Sequence, residues 1–393
     1  MTPSARVQSA IELLDAIIHA ARGKGAPADR ILAEWFRGNR FAGSKDRRAI
    51  RDLVFAAIRA CGPVPPSGRA AMLRRAEGDP ALRALFDASR YGPAPIGDDE
   101  PVAEGGIAPV WLAAALGESG ISGEEARALL GRAPLDARVN TLKADSGSLS
   151  LPEPGEPLPT RQGLRFKAGT ALEQWPAYRD GLIEVQDAGS QLACEAVAVR
   201  PGETVIDLCA GAGGKTLALA AAMDNAGTLI AADTDRTRLS RLAPRAERAG
   251  AFVSETILLD PGRELEALEA WRGRADAVLV DAPCSGTGTW RRNPEARWRL
   301  IPADLDRYAG TQERLLEIAG ELVRRGGRLI YVVCSLLDAE GADRIASFLA
   351  AHPDWRVDPP ALALGRPHGT GIRLTPFHDG TDGFFIARLE KPC

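Results

Sequence analysis

The chain has 393 residues, 45% of them hydrophobic and 26% charged, with a formal net charge of −3. That is long enough for two or three domains with cores of their own. It contains no run of about 18 apolar residues, which excludes a membrane-spanning helix.

The start, MTPSARVQSA, lacks the basic residues, apolar core and cleavage site of a secretory leader. Cys61, Cys194, Cys209, Cys284, Cys334 and Cys393 form no C-x-x-C pair and have no partnered histidines. Neither a disulfide framework nor a metal site is expected, and a reducing, cytoplasmic setting is. Residues 1–60 carry 11 Lys/Arg against 6 Asp/Glu, and Arg291, Arg292, Arg297 and Arg299 form a second basic cluster. Such patches bear on phosphate binding more than the total charge does.

In chain order, VQSAIELLDAIIHAA, RILAEWF and DRRAIRDLVFAAIRA repeat apolar residues at three- and four-residue steps, which predicts helices, with Ser44 as the cap of the third. Helical text runs on to about Arg132, so residues 1–133 read as an all-helical domain. From Pro134 to Arg200, LDARVNTLK and GLIEVQD read as strands around a Pro/Ser/Gly-rich link at 146–160, a small α+β module. From residue 201 the text changes again. ETVIDLC, GTLIAAD, ETILLD, ADAVLVD and GGRLIYVVC alternate with helical stretches, which predicts an α/β domain over 201–393 with a parallel sheet and helices on both faces. Ligands of such sheets bind at the carboxyl ends of the strands. Arg236, Arg238, Arg241, Arg245 and Arg248 read as the solvated face of one helix.

The first of these strands runs into Asp207-Leu-Cys-Ala-Gly-Ala-Gly-Gly-Lys-Thr216. A phosphate-binding P-loop would need glycine at Cys209, and a dinucleotide fingerprint would need it at Thr216. Two readings remain: a loop around S-adenosylmethionine, formed by Cys209, Ala210, Gly211, Ala212, Gly213, Gly214 and Lys215, or a tight turn without a ligand. Asp233, at the end of the second strand, suits a ribose diol. Asp260, after the third, can accept from an adenine amine or cap the next helix.

The fourth strand ends in Asp281-Ala-Pro-Cys284 and the fifth in Tyr331-Val-Val-Cys334, which brings two thiols to one crevice mouth. Each cysteine alone reads as a small buried hydrophobe. As a pair they suit one reaction. Addition of a thiolate to carbon 6 of cytosine makes carbon 5 nucleophilic enough to take a methyl group, and Asp281 can hold the ring nitrogen or amine.

These stretches resemble the RNA (cytosine-5)-methyltransferase family of the RsmB/Nop2/Sun type. DLCAGAGGKT is similar to its cofactor loop, DAPCSGTGTWRRNPEARW to its fourth motif and YVVCSL to its sixth. RVNTLK, VQDAGSQLA and RLTP…HDGTDGFFIA match further stretches, and SKDRRAIRDLVFAAIR resembles the NusB-like RNA-binding domain of the bacterial branch.

The resemblance implies a class I methyltransferase Rossmann-like sheet behind an α+β module and a NusB-like helical domain. It also implies S-adenosylmethionine as cofactor, Cys334 as nucleophile and Cys284 as the residue that releases product. The implied partner is RNA, small-subunit ribosomal RNA before transfer RNA. A monomer is expected, since no coiled coil is evident. The sequence departs from the family at Gly211-Ala212, where Ala-Pro is usual, and at Val333, where Thr is usual; the region 144–165 is shortened. Two rivals stand beside this reading. A DNA cytosine methyltransferase would use the cysteine of Pro283-Cys284, and an inactive RNA-binding assembly or antitermination factor would not bind the cofactor. Arg291–Arg299, beside the presumed target pocket, is expected to meet phosphate.

Overall fold

The computed structural model describes residues 1–23, 25–145, 147 and 149–393. Within the link at 146–160, Ser146 and Ser148 therefore lie outside the described residues. The chain forms two compact units, one made of Met1–Leu130 with Trp290–Pro302, the other of Gly131–Thr289 with Ala303–Cys393.

The first unit is helical, built mainly on Pro3–Arg22, Ala28–Gly38, Ser44–Ala60 and Gly68–Ala76. Their apolar stripes meet in a core that includes Leu14, Ile17, Leu32, Ile50, Ile58 and Met72. Ser44 is the first residue of its helix and not the cap: the cap position is Gly43, whose N–H donates to the Asp46 carboxylate at 3.2 Å. Asp46, in the first turn, thus accepts from the cap residue's own N–H, the reciprocal half of a capping box, and no serine hydroxyl caps the first-turn N–H groups.

The return segment Trp290–Pro302 corrects the expectation for Arg297 and Arg299. Arg297 is fully buried, and its Nη2 donates to the carbonyls of Ile58 (2.7 Å) and Cys61 (2.6 Å) at the end of helix Ser44–Ala60. Trp298 Nε1 donates to Gly62 O at 3.1 Å, and Arg299 donates to Gly25 O at 2.9 Å and Ala26 O at 2.7 Å. A guanidinium offers five donors in a fixed fork, and here carbonyls at a helix end take them in place of phosphate oxygens.

The second unit holds two sheets. The small one comprises β1 (Leu135–Val139), β2 (Glu156–Pro157), β3 (Gly163–Phe166) and β4 (Ile183–Val185), antiparallel in the order β2-β3-β1-β4. The large one contains β5 (Thr204–Asp207), β6 (Thr228–Asp233), β7 (Glu255–Leu258), β8 (Ala275–Asp281), β9 (Val323–Val333), β10 (Arg356–Val357), β11 (Arg366–His368), β12 (Gly371–Leu374) and β13 (Phe384–Glu390).

Its order is β11-β12-β13-β9-β8-β5-β6-β7, with β10 on β13. Strands β5 to β9 pair in parallel, as expected, but β10 to β13 add antiparallel pairs, so the sheet is mixed. Leu329, Tyr331 and Val333 of β9 enter one core while Ile330 and Val332 enter another. A strand covered on both faces reads as an unbroken apolar run, which is what GGRLIYVVC offers. Val333, where the family usually has Thr, has no exposure and shares its core with Tyr331 and Phe385.

The chain steps outward from β5 to β6 and β7, then crosses back to β8 and β9 on the other side. The reversal between β5 and β8 is a topological switch point, where a crevice opens beyond the strand ends.

Candidate active site

A cleft of about 310 Å³ occupies that switch point. Cys209 reaches its wall from the end of β5, Asp233 from β6, Asp281 and Cys284 from β8, and Cys334 from β9. Thr311, Arg314 and Leu315 of helix Pro302–Leu322 close one side. Asp260 is exposed between Leu259 and Pro261, which line the cleft.

Ala210, Gly211, Ala212, Gly213, Gly214 and Lys215 form the turn that leads into helix Gly214–Ala222. Gly213 N donates to Ala210 O at 2.8 Å, and Gly211 and Gly213 have φ of 55° and 85°. A Cβ on Gly213 would lie 2.1 Å from Leu242 Cδ1, so glycine is required there by both backbone and space. Gly211 N donates to Asp233 Oδ2 at 2.7 Å, and the other Asp233 oxygen accepts from Asp235 N at 2.7 Å.

Three carboxylates converge on this loop. Asp207 is fully buried and accepts from Thr216 Oγ1 at 2.6 Å, leaving its Oδ1 without a partner. Burial raises its carboxyl to about 7, with Asp281 and Asp233 adding to the rise against the hydrogen bond from Thr216 and the charge of Lys215. Lys215 Nζ binds Asp281 Oδ2 at 2.5 Å and stands 5.9 Å from the ring centre of Phe384. Burial opposes the Lys215 charge, but Asp281, Cys194 and Cys334 hold its pKa above the ordinary value. Burial and the same carboxylates push the Cys209 thiol up, so it lines the cleft uncharged.

The two remaining cysteines meet. Cys284 Sγ is 3.4 Å from Cys334 Sγ. The hydrogen bond with Cys334, and burial after it, raise the Cys284 pKa well above that of an ordinary thiol. Both factors hold the Cys284 thiol in its protonated form, within hydrogen-bond distance of the other sulfur.

Behind the thiols lies a residue the sequence reading missed. Glu340, with no exposure, accepts from Ser285 N at 2.8 Å, from Ser285 Oγ and from Ser335 Oγ at 2.6 Å. Gln312 Nε2 donates to Pro283 O at 2.9 Å, and Thr287 Oγ1 accepts from Leu336 N at 2.8 Å. Each serine directly follows one of the two cysteines, so one carboxylate ties both loops. In the sequence Glu340 stands in the polar run DAEGAD, and no local signal separates it from a solvated acid.

The arginines 236–248 fall on two helices, Arg236–Leu239 and Leu242–Ala249, with Arg241 between them, and not on one; Arg236, Arg238 and Arg241 are exposed as expected, whereas Arg245 and Arg248 are half-buried. Arg238 lines the cleft, with its guanidinium against Gly211. Arg245 donates to Ala212 O at 2.8 Å and pairs with Glu184, which Arg248 also binds.

A five-strand parallel core, a glycine turn at the switch point and a cleft of carboxylates and thiols define a class I methyltransferase fold of the Rossmann-like type. The family model for 16S rRNA methyltransferase RsmB/F matches residues 194–390, and the chain belongs to that family.

The probable ribosomal RNA small subunit methyltransferase B of Synechocystis is 36% identical over 274 residues, 65% of this chain and 60% of that protein. The ribosomal RNA small subunit methyltransferase B of Thermus thermophilus is 39% identical over 212 residues, 53% of this chain and 50% of that protein. The chain thus spans between half and three fifths of the length of these relatives. The crystal structure of PH0851 matches all of both chains at 25% identity, with a TM-score of 0.78.

Proposed function

We propose that the chain transfers a methyl group from S-adenosylmethionine to carbon 5 of a cytosine in RNA. Small-subunit ribosomal RNA is the first candidate substrate and transfer RNA the next. One observation carries the reading: two thiols 3.4 Å apart on adjacent strand ends, in a cleft lined by carboxylates. The names of the curated relatives support ribosomal RNA as the substrate. In this reading residues 1–133 bind RNA, 134–200 face it and 201–393 hold the catalytic centre.

The residues suit the cofactor. Asp233, Asp260 and Asp281 offer acceptors to its hydroxyl and amino groups, and Gly211 and Gly213 leave bare backbone beside them. When bound, it supplies an electrophilic methyl group.

The chain's own part is nucleophilic. Cys334, its proton given up to solvent, adds as the thiolate to carbon 6 of cytosine, and the π pair of the 5,6 double bond is displaced onto carbon 5, which becomes the nucleophile. Lys215 places positive charge where Cys334 and Asp281 both feel it. After carbon 5 is methylated and its proton is lost to water, the electrons of that C–H bond restore the double bond and the bond to sulfur breaks. Cys284, still protonated, donates its hydrogen bond to the departing sulfur.

The test is to trap the enzyme on RNA containing a 5-azacytidine-type base and map the adduct by mass spectrometry. The adduct is expected on Cys334, Cys284→Ala is expected to accumulate protein–RNA adduct on natural RNA, and Cys334→Ala to form none. An adduct on Cys284 would favour the DNA-methyltransferase type of chemistry and sink this assignment.

A further inference from the structure

A second cavity, of about 280 Å³, lies apart from the methyltransferase cleft, where β1 meets helices Ala188–Val197 and Gly214–Ala222. One wall is aliphatic, from Val139, Val199, Ala218, Ala221 and Ala222, and no aromatic side chain lines it. The polar part of the lining includes Arg138, Arg161 and Gln162, with one carboxylate, Glu195.

Arg138 is 7% exposed, and its Nε donates to Gln186 Oε1 at 2.9 Å. Its two Nη groups have no hydrogen bond or ion pair among the described residues, and they are not sealed from solvent-accessible space. Glu184, the carboxylate whose charge it feels, is already paired with Arg245 at 3.0 Å and with Arg248. Arg245 and Arg248 thus occupy the buried carboxylate nearest Arg138, and among the residues lining the cavity Arg138 and Arg161 face a single carboxylate, Glu195, so the lining carries a small positive excess.

An unpaired buried charge is costly unless a partner completes it. The ligand must bring that partner, and a phosphate does so by accepting two parallel hydrogen bonds from a guanidinium. Two further features agree. Arg161 is exposed at the rim, and its own contact is made by its backbone N–H to Glu195, leaving its guanidinium available. Gln162 Oε1 is buried without a donor, an acceptor suited to a hydroxyl. With no ring to stack a base on, the aliphatic wall suits a sugar.

We propose that this cavity binds a ribose-phosphate unit, the phosphate on Arg138 and Arg161 and the sugar on the aliphatic wall with a hydroxyl to Gln162. The unit belongs either to an RNA chain or to a free nucleotide; the chemistry is the same.

The experiment is calorimetric titration of the full chain with ribose 5-phosphate, inorganic phosphate and a short single-stranded RNA. Ribose 5-phosphate is expected to bind more tightly than inorganic phosphate. Arg161→Ala and Ala222→Glu alter exposed positions, so the fold tolerates them. Each should weaken ribose 5-phosphate about tenfold, the worth of one charge-assisted contact. Arg138→Gln, checked for folding by its melting curve, should abolish binding.

If Ala222→Glu weakens the RNA equally, the source is an RNA chain; if it weakens the sugar phosphate alone, the source is a free nucleotide. Cys334→Ala should leave this binding intact, so failure of the cavity and failure of the methyl-transfer reading are seen separately. Undetectable binding of ribose 5-phosphate at millimolar concentration, or affinity unmoved by Arg161→Ala and Ala222→Glu together, would overturn the proposal.

Discussion

The Ser335 hydroxyl donates to Glu340 Oε2 at 2.6 Å, one residue beyond Cys334, the proposed nucleophile, and Ser285 binds the same carboxylate one residue beyond Cys284. The 3.4 Å spacing of the thiols is thereby set by a buried acceptor that touches neither sulfur. Glu340→Gln keeps the volume but turns one oxygen into a donor facing hydroxyl donors. Misplacement of a reacting group by about 1 Å can cost roughly 100-fold in rate. The expected result is a kcat lower by about ten- to a hundredfold with the KM for S-adenosylmethionine unchanged. A rise in KM with normal kcat would instead mean that Glu340 shapes the cofactor wall.

The contrast between Glu340 and Cys334 shows what the sequence made legible. Cys334, Cys284, Asp207 and Asp233 could be placed because alternating strands and helices locate every strand end of a parallel sheet, and ligands gather there. Glu340 could not, since its burial follows from the approach of two loops 50 residues apart, which no local pattern encodes. Arg297 was misread for the same reason. Charge is visible in a sequence and burial is not, so a guanidinium holding helix carbonyls looks like one awaiting phosphate. Strands β10 to β13 escaped because they are mostly short and antiparallel, with no βα alternation to announce them.

Arg297 therefore yields a stability prediction. Arg297→Met removes one of two donors to Ile58 O, which keeps the Cys61 N–H, and leaves the Cys61 carbonyl unmatched, at about 1–3 kcal/mol. Chemical denaturation should show a loss of about 1–3 kcal/mol in the helical unit. RNA affinity of the folded protein should not change. A variant of normal stability with weakened RNA binding would restore the phosphate role for this side chain.

Asp207 makes stability depend on pH. Its folded value is about 7, against roughly 3.9 in an unfolded chain. The folded state thus holds this proton more tightly, so the contribution is fully present below about pH 4 and is lost as pH rises through about 7. By linkage the change amounts to at most about 4 kcal/mol. Asp207→Asn keeps an acceptor for Thr216 and removes the titration. Urea unfolding at about pH 5 and about pH 8 should show the wild type losing stability relative to the variant over that interval. Parallel curves for the two proteins would rule this out.

The thiol pair can be probed without RNA or cofactor. The largest cause of the raised Cys284 pKa is its hydrogen bond with Cys334; burial comes second. Cys334→Ala removes the first cause and keeps most of the second, so the Cys284 pKa should fall part of the way toward an ordinary thiol. Since the thiolate is the reactive form, alkylation of Cys284 at fixed mildly alkaline pH should then quicken severalfold, with exposed Cys393 as internal reference. Peptide mapping of iodoacetamide-treated protein reads both rates at once. An unchanged rate at Cys284 would mean that burial alone holds its proton, and that the neighbouring sulfur does not accept the hydrogen bond on which the release step depends.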